Sequence, residues 1–131
     1  MNRSRILLTI LFCFTCLLGC DRFSVQKQLE QYVEQQKANS PLPRKMSERQ
    51  TLIDIRAGEK ELIQVFTIKG PKGKLKESLD EIKQEVRTEL QKKKNQIQNL
   101  ITYKIVMTFK YLHEPSKEVL FEFQFKPWTD L

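Results

Sequence analysis

"ITYKIVMTFKYL", residues 101–112, alternates apolar and polar side chains almost throughout. Ile101, Tyr103, Ile105, Met107, Phe109 and Tyr111 share one side. Thr102, Lys104, Thr108 and Lys110 share the other, with Val106 and Leu112 as exceptions. Successive strand side chains point to opposite faces, so the pattern predicts a half-buried antiparallel strand over 101–112. "HEPSKE" at 113–118 reads as a loop, and "VLFEFQFK" returns with Val119, Phe121, Phe123 and Phe125 inward and Glu122, Gln124 and Lys126 outward. Pro127 has no amide hydrogen for a ladder and stops the strand. Trp128 is expected to fold back as a plug at the rim of the core.

Upstream the period changes. Leu75, Leu79, Ile82, Val86 and Leu90 recur at spacings of 4, 3, 4 and 4, one face of an amphipathic helix over 74–100. Ile97 and Leu100 prolong it. Glu77, Asp80 and Glu81 lie near its start and Lys92, Lys93 and Lys94 near its end, as the helix dipole favours. Before it, "QTLIDIRA" (50–57) and "ELIQVFTIK" (61–69) flank Gly58-Glu59-Lys60 and read as a β-hairpin. In its first arm Thr51, Ile53, Ile55 and Ala57 are expected on one face, and Leu52, Asp54 and Arg56 on the other. Residues 23–38 place Val25, Leu29, Tyr32 and Val33 at helical spacing among Gln and Glu. The Pro-containing stretch 39–47 is a connector.

These elements predict an α+β fold in two layers. An N-terminal helix is followed by β-β-α-β-β, with an antiparallel sheet of about four strands and the helices on one face. The α+β domain spans 48–131.

The first 20 residues are different. Arg3 and Arg5 precede an apolar run from Ile6 to Leu18, too short for a spanning helix, which needs about 20 residues, but suited to a signal peptide. Leu17-Leu18-Gly19-Cys20 resembles the lipobox of bacterial lipoproteins. That resemblance implies removal of residues 1–19 after Gly19 and a mature chain whose start, 20–22, carries diacylglycerol and an N-acyl chain on Cys20. No cofactor besides this covalent lipid is expected. Two or more acyl chains anchor stably where one does not. Asp21 resembles the inner-membrane retention signal of enteric lipoproteins, so the periplasmic side of the inner membrane is favoured over the outer membrane. The chain's three cysteines are Cys13, Cys16 and Cys20, so the mature protein would hold no free thiol in an oxidising compartment.

The net charge is +7, and loss of 1–19 leaves 21 Lys and Arg against 16 Asp and Glu, or +5. "KGPKGKLK" (69–76) opens the long helix with Lys69, Lys72, Lys74 and Lys76. It lacks the spacing and terminal Ser/Thr of a Walker loop. It is a solvated turn or a contact for anionic headgroups. Lys104 and Lys110, on the polar strand face, are candidate partner contacts. His113, the only histidine, sits in the predicted hairpin loop beside Glu114 and reads as a lone exposed loop residue, and nitrogen- or sulfur-type metal sites lack ligands. The strand aromatics share a face with Ile105, Met107 and Val119, which marks core rather than a platform for nucleic acid.

The sequence thus predicts a non-catalytic, membrane-anchored periplasmic lipoprotein that binds or assists another cell-envelope component. Two other classes fit the same features: a phage- or plasmid-type exclusion or immunity lipoprotein, and an envelope hydrolase.

Overall fold

The computed structural model describes residues 25–131. The signal segment, Leu17, Leu18, Gly19, Cys20 and Asp21 lie outside the described residues. The chain runs α1 (Val25–Asn39), β1 (Arg44–Lys45), β2 (Gln50–Gly58), β3 (Glu61–Ile68), α2 (Lys72–Lys76), α3 (Leu79–Lys92), α4 (Gln98–Thr102), β4 (Val106–His113), β5 (Val119–Phe125) and α5 (Pro127–Asp130). The fold is α+β, with helices packed on one face of the sheet.

The sheet differs from expectation in two ways. It has five strands in the order β1-β2-β3-β4-β5, because Arg44 and Lys45, inside the proline stretch, pair with Leu52 and Thr51. It is also mixed rather than wholly antiparallel, since β3 and β4 pair in parallel from Glu61↔Val106 to Ile68↔His113. The crossover explains the direction. The 14 residues of α3 carry the chain back about 21 Å, most of the roughly 26 Å length of β3. The next strand therefore starts beside the first residue of β3 and runs the same way.

The helical stripe inserts as its spacing predicts. Leu75, Ile82, Val86, Leu90, Ile97 and Leu100 are buried in one cluster, and Leu79 packs against it. The backbone is broken, however, into α2, α3 and α4. Ser78 sits between the first two and turns its hydroxyl back to Lys74 O, 3.1 Å away. The strand expected from residue 101 begins only at Val106. Ile97, Leu100 and Ile101 serve a helical spacing, and Ile105 N donates to Leu100 O at 2.9 Å to close the turn. Lys104 lies in that turn with φ 55°.

A bulge corrects the facing of β2. The pairing shifts between Leu52 and Asp54, so Ile53 is the extra residue. Leu52 and Ile55 both reach the core and are fully buried, although they are three apart. A bulge inserts one residue and resets the period-2 alternation.

The core face is an aromatic ladder. Phe66 stacks on Tyr111 at 5.0 Å, Phe109 on Phe123 at 5.3 Å, and Tyr111 lies 5.2 Å from Phe121. At the β5 edge Lys83 and Arg87 of α3 lie 5.8 and 5.6 Å from the centres of the Phe123 and Phe125 rings. Their stems extend the apolar cover while the charges reach water. Leu29, Tyr32 and Val33 of α1 join the same cluster. Trp128 is only half-buried; Pro127 is the buried residue of α5.

Gln64 is the misfit in this core. It faces the helices between Ile55 and Phe109, is fully buried, and neither amide atom has a hydrogen-bond partner among the described residues. A buried polar group left unpaired costs about 1–3 kcal/mol. Gln64→Met, of similar shape, is therefore expected to raise the unfolding free energy by about 1–3 kcal/mol. Urea melts of the two proteins measure this, and a lower midpoint for the variant would contradict it.

Candidate functional site

The face of the sheet opposite the helices gathers polar and charged side chains of four strands among the described residues. Strand register places its residues in rows. Arg56, Ile63, Thr108 and Gln124 form one row, and Asp54, Val65, Lys110 and Glu122 the next. Thr51, Thr67, Leu112 and Val119 form a third. An apolar strip, Ile63 and Val65 with Val106 and Leu112 beside them, runs through polar flanks. Val119, expected inward, lies at its rim and is 47% exposed, because the register shift between Tyr111 and Leu112 gives the inward place to Leu120.

The charges on this face are mutually compensated. Arg56 Nε lies 2.7 Å from Asp54 Oδ2, and Lys37 Nζ of α1 lies 3.5 Å from the other oxygen. Lys110 and Glu122 are direct cross-strand neighbours. Thr108 donates its hydroxyl to Glu61 and accepts from Gln124 Nε2 at 3.4 Å. Thr108, expected on an open face, is 2% exposed.

The lysines singled out in the sequence do not form one site. Lys110 lies half-buried on the uncovered face. Lys104 does not: it sits in the turn that precedes β4. Lys69, Lys72, Lys74 and Lys76 gather at the other end of the strands, where β3 leaves the sheet. There the basic turn is a structural junction. Arg49 Nε and Nη2 both donate to Lys69 O at 3.3 Å, and Lys69 N donates to Arg49 O at 2.9 Å. The His113 ring uses both nitrogens, with Nε2 3.1 Å from Gly70 O and Nδ1 3.1 Å from Ser116 Oγ. Donation from Nε2 and acceptance at Nδ1 satisfy both contacts in one neutral tautomer. Lys72 pairs with Glu118. That hydrogen bond, and then the lysine charge, hold the Glu118 carboxyl below its ordinary range. The pair's contribution is present above the ordinary carboxylate pKa and is lost as pH falls through the depressed one.

Other chemistry is sparse among the described residues. No three His, Cys, Asp or Glu side chains converge as metal ligands. A recess of about 50 Å³ between Gln50, Ile68, Ser78, Glu81 and Glu85 has room for water, and open depressions of about 320 Å³ beside Asp80, Arg87 and Asp130 and about 410 Å³ beside Glu34, Lys37 and Arg56 are larger. Burial, and behind it the Glu85 carboxylate, push the nearby Tyr111 phenol above its ordinary pKa, so it stays neutral. No described helix is long and apolar enough to cross a membrane.

Asp54 and Arg56 lie opposite Ile55 and Ala57, as the alternation placed them, whereas Thr51 and Leu52 have exchanged faces; the contributions of Glu61 and Ile63 were not legible beforehand. The bulge at Ile53 inverts the facing that simple alternation assigns to part of β2. Its signal is the step Leu52-Ile53-Asp54, two adjacent apolar residues followed by an acid.

No protein-family model matches the sequence, and no curated protein matches it. A solved structure does share the architecture. It belongs to PA3611 of Pseudomonas aeruginosa, described as a candidate secreted protein. The TM-score is 0.66 at 12% identity, over 83% of this chain and 99% of that one. The likeness is one of fold.

The junction at the basic turn depends on Gly70. Its φ is +137°, and a Cβ there would meet Arg49 Nη2 at 3.0 Å and a Leu75 methyl at 3.2 Å. Gly70→Ala is expected to lower stability by about 1–3 kcal/mol, seen as an earlier thermal midpoint. Gly73→Ala meets nothing within 4 Å and serves as the control. Equal melting of both variants would contradict the assignment.

Proposed function

We propose that this chain is an exported bacterial lipoprotein, anchored through Cys20 on the periplasmic side of the inner membrane. In this reading it is a non-catalytic module that presents the uncovered sheet face to another protein of the envelope. The observation that carries the binding role is the mosaic of that face. Half-buried Ile63, Val106 and Leu112 are flanked by acids and bases in balance. Interfaces of this composition suit a protein partner better than lipid headgroups, which favour one sign of charge. The export reading rests on the basic start, the short apolar run and Leu17-Leu18-Gly19-Cys20. The secreted description of the protein with the same fold agrees with it.

Two experiments test the two halves. Cys20→Ser is expected to abolish palmitate labelling and to move the protein from the membrane to the soluble fraction. Labelling that persists in the variant would refute lipidation at that sulfur. For the face, Lys110→Glu with Leu112→Glu should change the unfolding free energy by about 1 kcal/mol or less at each partly exposed strand position. The same double variant should lose crosslinks that a photoreactive residue at 106 forms in cells with the wild-type chain. Crosslinks of undiminished yield would sink the proposed interface.

A further inference from the structure

The fold gathers lysines at both ends of the sheet, and the described chain begins, at Val25, at one of those ends. The first turn of α1 is held to the β2–β3 turn. Gln26 Nε2 donates to Gly58 O at 2.7 Å, and Lys60 N donates to Gln26 Oε1 at 2.9 Å. Val25, where α1 begins, is five residues from Cys20. Even fully extended, that tether spans no more than about 18 Å. The β2–β3 turn also adjoins the entry to β4, since Val106 N donates to Lys60 O at 3.0 Å. The 93–105 segment, which links the end of α3 to β4, lies at this same end.

Lys60, Lys93, Lys94 and Lys104 therefore share the anchor end, and none has an ion pair among the described residues. Lys93 is half-buried and the other three are exposed. Tyr103, 36% exposed, stands beside Lys104. Glu59 is the exposed acid of the β2–β3 turn. Lys92 differs, because buried Glu89 lies 3.6 Å from its Nζ. Lys69, Lys74 and Lys76 are a full strand length farther from the tether, about 26 Å along β3.

From this placement we infer that Lys60, Lys93, Lys94 and Lys104, with Tyr103, form a docking surface for anionic phospholipid headgroups that stands the domain end-on to the bilayer. The inference rests on the lipidated reading of Cys20 and adds the orientation. Its consequence is that the sheet face stays clear of lipid and the Lys69–Lys76 turn points away from the membrane. Each lysine near an anionic surface strengthens this orientation roughly fivefold, so the four together act over several hundredfold.

Lys60 and Lys104 offer a clean way to remove charge. Both have left-handed backbone, φ 49° and 55°, where Asn fits better than Lys. Lys60→Asn, Lys104→Asn, Lys93→Gln and Lys94→Gln together are thus expected to fold at least as well as the parent. The test reconstitutes the lipidated full-length product into vesicles carrying headgroup quencher. One set contains phosphatidylglycerol and the other only phosphatidylcholine. A fluorophore is attached through Tyr103→Cys or, at the far end, Ser116→Cys. The expected result is several-fold stronger quenching at 103 than at 116 in phosphatidylglycerol. That difference should collapse in phosphatidylcholine and in the four-site variant, but survive Lys69→Gln with Lys74→Gln and Lys76→Gln. Equal quenching at both positions in a lipidated protein would overturn the orientation alone. A product whose mass shows no lipid on Cys20 would overturn the anchored reading and the orientation with it. Shielding of the 103 probe that persists in detergent without vesicles would overturn the lipid surface in favour of a second copy on that end.

Discussion

An aromatic sheet face must be covered, and a single layer of helices covers it. Phe66, Phe109, Tyr111, Phe121, Phe123 and Phe125 form a continuous ladder across three strands. Fully burying one such side chain contributes about 1.5–3 kcal/mol, so leaving the ladder wet would be incompatible with folding. The long central helix runs the length of the sheet to cover it. Because that helix returns the chain to the starting end, the strand after it can only run parallel to the strand before it. Helix cover, strand direction and parallel pairing are one constraint.

The same constraint produces the surface. With the helices committed to the aromatic side, no described helix packs on the opposite side of β2 to β5. Among the described residues no helix packs above its central positions, and Val65 is 3% and Thr108 2% exposed. Charges there are paired in the register, so the face is neither a bare apolar patch nor a one-sign field. A surface of that kind suits a specific partner and resists adventitious sheet-to-sheet sticking.

Polarity along the strands matters as much as polarity across the sheet. One end carries the start of α1 and the turns at Lys60 and Lys104. The other carries the Gly70 junction, stapled by Arg49 and His113. The histidine that might have suggested chemistry is consumed in holding a loop, with both ring nitrogens engaged. The glycine- and lysine-rich turn that might have suggested a phosphate cradle owes its glycine to backbone geometry at φ +137°.

By itself the sequence determined which side of each segment is apolar. The stripe from Leu75 to Leu90, the hairpin around Gly58 and the alternation at 121–125 reappear as read, because a local period records one-sided burial; Val119, read as inward, does not. The lipobox-like Leu17–Cys20 is local in the same sense. What only the tertiary structure decided is how segments meet: the parallel pairing of β3 with β4, the two-residue β1, the shift at Ile53, and the ends to which the lysines are assigned. Those follow from strand register and from where a crossover stops, and they link residues tens of positions apart. Periodicity within a window cannot encode such pairings. An alternating run such as Ile101–Ile105 can likewise end a helix or begin a strand until Leu100 and Ile97 find the core.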